Sequence, residues 1–275
     1  MKTSLSLMTA ATLLSTLSLL SGPAAAQSIS VCASSTATAG EVAYHCRLTL
    51  ESGGLSDEQT VGVNLNLGYA HLALGHTGQA VEAFTEAARL APARVEAYIG
   101  RAKAHEDRRS YDLATQDWNR ALGLASRSVD VRLGRGAFFL RQGIMAQALE
   151  EFTAALTIDP DEPDARYNRG LVWLALKQPA EAEADFSRLL RDYPNDAGAY
   201  FNRARALDGR NDQAALRDFA KSSELSPEWA APWFFSGEIL DRIGRTADAN
   251  RHFRRAFELG YQDPWLLRRI QDLGG

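Results

Sequence analysis

The chain has 275 residues, 45% of them hydrophobic, and a formal net charge of −4 from 30 basic and 34 acidic side chains. Such mild acidity, with no basic run, argues against nucleic acid or an anionic membrane surface as partner. The basic residues are almost all arginine, with lysine only at Lys2, Lys103, Lys177 and Lys221.

The first residues read as a secretory leader over 1–26. Lys2 supplies the positive end, Leu5 to Leu20 an apolar run broken by Ser and Thr, and Ala24-Ala25-Ala26 a small-residue cleavage site before Gln27. The run falls short of the roughly 18–20 unbroken apolar residues of a spanning helix. The expectation is an exported chain, periplasmic or secreted, with no membrane insertion after cleavage. Cys32 lies beyond the cleavage point, which argues against a lipoprotein. Cys32 and Cys46 are the only cysteines, and in an oxidising compartment they are expected to form a disulfide. Closing that loop removes denatured-state entropy worth roughly 3 kcal/mol. Residues 27–56 read as a lead-in, loose over Gln27–Gly40, and a capping helix over Glu41–Glu51 that ends at Gly53-Gly54. Ser56-Asp57-Glu58-Gln59 is a capping box, so a strong helix start follows.

From there the sequence matches itself in steps of about 34 residues, which marks a stack of helical hairpins. The copies run 61–92, 95–126, 129–160, 163–194, 197–227 and 230–261 within an array of 57–262. The fifth is one residue short in its turn. Small residues such as Gly170 and Ala182 allow close helix approach. An aromatic side chain (Phe84, Trp118, Phe152, Phe186, Phe219, Phe253) fills the gap to the next hairpin, and prolines such as Pro194 end the second helix. One hairpin cannot bury its apolar face, so stability comes from stacking. Residues 263–275 read as a C-terminal capping helix, with Asp263 as N-cap and Pro264 at the first helical position.

This pattern of aromatic, Leu-Gly, Tyr, Ala, Phe, Ala and Pro at fixed places resembles the tetratricopeptide repeat (TPR) family. The resemblance covers about 200 residues. It implies an all-α solenoid, a right-handed superhelix of about six hairpins. Departures are few: Ser126 and Tyr261 stand for the closing proline, Leu189 and Ser222 for the last alanine, and the Leu of Leu-Gly survives only as Leu67.

At the seventh repeat position, where the family usually has Leu, repeats two to five carry Arg101, Arg135, Arg169 and Arg203. In the same repeats the residue before the second-helix aromatic is acidic: Asp117, Glu151, Asp185 and Asp218. Repeats one and six lack both members, with Leu67 and Ala83 in one and Ser236 and His252 in the other. This co-occurrence predicts four guanidinium–carboxylate pairs bridging the two helices of a hairpin.

The resemblance also implies a concave groove lined by the first helix of each repeat. Mapped onto this chain, the lining is Asn66, Tyr69, Lys103, Tyr167, Asn168, Phe201, Asn202, Arg205, Phe234 and Glu238. Asparagine at the sixth position could bond the backbone of an extended peptide, with aromatics holding its side chains; it is equally a consensus residue. The Lys/Asn clamp that some relatives use for a C-terminal carboxylate is missing from its places. No nucleophile elbow, phosphate loop or dinucleotide fingerprint occurs, and His71 and His76 lack a zinc-protease arrangement. The sequence therefore reads as a non-catalytic adaptor of the bacterial cell envelope with a protein or peptide partner, no cofactor and no metal. The alternative is a module that binds peptidoglycan or another glycan and assists envelope enzymes.

Overall fold

A computed structural model describes residues 23–272, and among these the regular structure is helical throughout, with no strand. Residues 1–22, the greater part of the expected leader, lie outside the described residues. The chain divides into two compact units, up to Gly134 and from Arg135.

The first unit contains α1 (Pro23–Cys32), α2 (Ala39–Ser52), α3 (Asp57–Ala73), α4 (Thr77–Leu90), α5 (Val95–Asp107), α6 (Tyr111–Leu124) and the start of α7 (Val129–Arg141). The second holds the rest of α7, α8 (Met145–Ile158), α9 (Pro163–Ala175), α10 (Pro179–Asp192), α11 (Ala197–Leu207) and α12 (Asp212–Leu225). It ends with α13 (Ala230–Arg242), α14 (Thr246–Glu258) and α15 (Pro264–Asp272). Each predicted repeat is thus a pair of helices, and the short fifth repeat takes its deletion at the end of α11.

Local chemistry sets the ends of these helices. Ser56 accepts from the Gln59 amide while the Gln59 side chain accepts from the Ser56 amide, closing the capping box on α3. Asp263 Oδ1 accepts from the amides of Trp265 and Leu266 at 2.8 and 3.0 Å, starting α15. Between the helices of a hairpin the chain reverses through one residue in the left-handed region. Gly75, Gly143, Gly209 and Gly244 take that place, but so do Arg109 (φ 59°) and Lys177 (φ 57°), whose Cβ atoms make it costly.

The core repeats as the sequence does. The eighth residue of each second helix from α4 to α14 is the aromatic, buried to within 1% exposure. Glycine makes room for it: a Cβ on Gly68 would lie 2.7 Å from the Phe84 ring, and one on Gly100, in the next hairpin, 2.3 Å from it. A Cβ on Gly134 would likewise lie 2.3 Å from the Trp118 ring, and one on Gly170 2.7 Å from Phe186.

The N-terminal region departs from expectation. Gln27 to Cys32 are not loose but belong to α1, which pairs with α2 as a further hairpin ahead of the first repeat. Its second helix starts at Ala39 with a Thr38–Glu41 capping box, and its eighth residue is Cys46. A disulfide to Cys32 (S–S 2.06 Å) thus stands where the other hairpins place an aromatic ring. Both sulfurs are buried among Val42, Ala43, Val63 and Ala70. The short, polar segment 33–38 hid this hairpin from a reading based on the repeat period.

Candidate functional site

Two groups of residues on the first helices separate cleanly: one faces the partner helix, the other stands beside it. In the first group, Arg101 Nε and Nη2 donate to Asp117 at 2.9 and 2.7 Å. Arg169 meets Asp185 in the same two-pronged way at 2.8 and 2.7 Å, and Arg203 meets Asp218 at 2.7 and 2.8 Å. Arg135 Nη1 donates to Glu151 at 2.5 Å. The carboxylates are buried and the guanidiniums about one-fifth exposed. Their hydrogen bonds to Asp117 and Asp218 hold Arg101 and Arg203 above the usual guanidinium range.

The sequence reading missed the further partners of these pairs. Arg101 Nη1 also donates to Thr85 at 3.2 Å and Arg203 Nη1 to Ser187 at 3.3 Å, so each guanidinium joins its own hairpin to the one before. Thr85 and Ser187 directly follow the aromatic of that preceding hairpin. Asn119 and Thr153 occupy the same place ahead of Arg135 and Arg169, whereas Ala220 precedes the repeat that lacks the arginine. A signal for the third partner was therefore present one residue past the aromatic. His105 Nε2 stands 3.8 Å from Asp117, with burial lowering its pKa and Asp117 opposing that shift. Arg166 Nη1 stands 3.9 Å from Asp185. Its pKa is lowered by burial, against the pull of Asp185 and with the push of Arg169 and Arg188.

The second group is the expected groove lining, and the structure sorts it. Phe201 and Phe234 are 8% and 6% exposed and belong to the core, not to a peptide-facing surface. Phe201 packs on Trp229 with ring centres 4.5 Å apart, and Tyr261 stacks on Phe234 at 4.4 Å. Asn202 is also buried: its Nδ2 donates to Tyr167 Oη at 2.9 Å and to Gly198 O at 3.0 Å, and its Oδ1 accepts from Arg205. It ties α9 to α11 rather than waiting for a ligand. Asn66 makes the matching link in the first unit, donating to Cys32 O at 3.2 Å, so α1 stands to α3 as α9 stands to α11. Asn168 donates to Asp164 O within its own helix. The amides expected to bond a peptide are thus already in use, a consequence of how closely successive first helices pack.

Tyr69 is mostly inward as well, with its hydroxyl 3.4 Å from Glu96 O and its pKa pushed up to about 12 by burial. What stays open is Lys103 on α5, Arg205 on α11 and Glu238 on α13, with Tyr167, Leu171 and Leu174 half-buried along one side of α9. These last three follow the i, i+4, i+7 spacing of a single helix face. Within the second unit they adjoin Arg205 through the Tyr167–Asn202 bond.

Known proteins share this construction. The tetratricopeptide repeat model matches residues 65–128, 107–163, 146–197 and 167–228, together more than half of the chain. The comparison with curated proteins finds no match. The solved structure of PilF from Pseudomonas aeruginosa is similar over 78% of this chain and 98% of its own, with TM-score 0.66 and 21% identity. PilW, a type IV pilus biogenesis factor, gives TM-score 0.66 and 20% identity over 78% of this chain and 99% of its own. YrrB, a TPR protein with an unusual peptide-binding site, gives 0.58 and 23% over 70% and 99%. At such identities the structural likeness speaks to the fold, and the repeat match carries the family. The chain belongs to the tetratricopeptide repeat family.

Proposed function

We propose that this protein is a non-catalytic scaffold of the bacterial cell envelope that holds a peptide or protein segment against the first helices of its hairpins. The observation that carries the reading is the row Tyr167, Leu171 and Leu174. Apolar side chains left half-open along one helix face, with a guanidinium beside them, offer a partner both buried area and orientation. Family membership supports the class of function. YrrB, with its peptide-binding site, and PilW, a pilus biogenesis factor, are consistent with it. The envelope location rests on the leader-like first residues and on a disulfide of the kind that persists in oxidising compartments.

Site-specific photo-crosslinking tests this. A benzophenone side chain at Leu171 is expected to trap a protein in living cells, while one at the exposed Arg191 gives no such adduct. Equal adducts at both positions, or none at Leu171, would overturn the reading. An adduct with cell-wall glycan instead of protein would replace it with a glycan-binding module.

A further inference from the structure

Resting on that reading, the same face carries a charge pattern that names its partner's chemistry. Arg205 and Glu238 are the ninth residues of α11 and α13, equivalent places in successive first helices. Both are exposed, and no ion pair joins them to each other or to any other described residue. Several charges elsewhere in this unit are paired instead: Arg188 reaches Asp161 at 2.8 Å, Arg210 reaches Glu183 at 2.7 Å, and Arg269 reaches Asp241 at 3.1 Å.

Of the two, Arg205 is nonetheless held in place. The Arg205 guanidinium lies 5.9 Å from the centre of the Phe201 ring and donates to Asn202 Oδ1 at 3.3 Å, so it is positioned without being neutralised. Glu238 stands one helical turn beyond Phe234, whose ring is covered by Tyr261 at 4.4 Å and 19°. The nearest guanidinium along the helix, Arg242, is committed to Asp208 and Asp212 at 2.5 and 2.7 Å. Burial first, then Asp208 and Asp263, push the Glu238 pKa up, against Arg242; the two aspartates add negative potential at Glu238 that an incoming cation would meet.

We propose that the first-helix face of 197–242 reads charge in the bound segment, setting an acidic side chain of an extended peptide against Arg205 and a basic one against Glu238. The helices concerned are neighbours, since the Phe201 and Phe235 ring centres are 5.6 Å apart. Packed helices lie about 10 Å apart, and an extended chain rises about 3.3 Å per residue. The two charges in the partner therefore stand about three residues apart. Opposite charges at fixed spacing set direction and register along the face, as electrostatic complementarity does elsewhere.

A random peptide library displayed on phage, selected against the full chain, tests this directly. Enriched peptides are expected to carry an acid and a base about three residues apart. A synthetic peptide made from them is expected to bind Glu238→Arg or Arg205→Glu about tenfold more weakly. Selection on Glu238→Arg is expected to replace the base by an acid. Both residues are exposed, and helix content by circular dichroism checks that the variants fold. Peptides that lose binding in Leu171→Asp yet bind both charge variants as well as the parent would overturn the charge reading and leave the scaffold standing. Failure to enrich any peptide whose binding depends on Leu171 would overturn both.

Discussion

Replacing Asp185 by alanine tests what the arginine–carboxylate pairs contribute. Asp185 has a side chain only 6% exposed, receives two bonds from Arg169, and lies 3.9 Å from Arg166. Breaking one member of a buried pair typically costs about 3–5 kcal/mol, because the other charge is left desolvated and alone. Arg169 is 22% exposed and Arg166 13%, so water recovers part of the loss for the first but less for the second. The expected cost is about 3 kcal/mol, the lower end of that range. The two guanidiniums would also be left facing each other, and Arg166 is already disfavoured by Arg169 and Arg188. Arg166→Ala should therefore cost stability in the parent but be neutral or stabilising in the Asp185→Ala background, a non-additivity of about 1 kcal/mol. Urea denaturation followed by circular dichroism measures both, with the slope of the transition compared between variants to exclude a change in cooperativity. An unchanged midpoint for Asp185→Ala would refute the account, as would strict additivity with Arg166→Ala.

The remaining predictions follow from single contacts. Gly100→Ala places a methyl 2.3 Å from the Phe84 ring, which is shared by two hairpins; overpacking is expected to cost about 1–3 kcal/mol, read as a lowered urea midpoint. Lys177→Gly relieves a left-handed residue at φ 57° and should raise stability by about 0.5–1 kcal/mol, the net of strain removed and glycine entropy. Reducing the Cys32–Cys46 bridge, or replacing both cysteines by serine, should cost about 3 kcal/mol. It should also open α1 to proteolysis, because Ile29 is the only large aliphatic side chain buried among the described side chains of α1. Burial is the main cause lowering the His252 pKa; Arg251 and Arg245 add to it and Asp248 opposes it. The unfolded chain therefore takes up that proton first as pH falls below about 6.5, and stability drops from there downward. Melting temperatures at about pH 7.5 and about pH 5.5 should differ less in His252→Gln than in the parent.

Much of this fold was legible because a repeat states each rule several times. The buried aromatic, the small residue across from it and the arginine–acid pair each recur, so coincidence at one site is outvoted by the others. The N-terminal hairpin escaped because it uses a disulfide in place of the aromatic, and one instance of a substitute has no copy to be compared with. The groove lining was harder for a different reason. Periodicity tells which residues share a helix face, but not how closely the next first helix approaches that face. The approach is close enough for Asn202 to reach Tyr167 and for Asn66 to reach the Cys32 carbonyl. These contacts turn expected ligand groups into links between hairpins.

That conversion changes where specificity can reside. A side chain that bonds two hairpins cannot be spent on a ligand without loosening the stack, so Asn66 and Asn202 are excluded by their own success. The charges that remain available are those the stack does not need. Arg169 is consumed by Asp185, whereas Arg205, on the next first helix, meets an amide oxygen and a ring face and no carboxylate among the described residues. Arginine abundance alone does not distinguish them; what does is whether a carboxylate of the partner helix lies within reach. In repeats two to five the array thus fixes its architecture with the seventh repeat position, while the ninth varies along the array, from the mostly inward Tyr69 to the exposed Lys103, Arg205 and Glu238. Variation at a position that the stack does not constrain is where one array can come to recognise a partner that another array ignores.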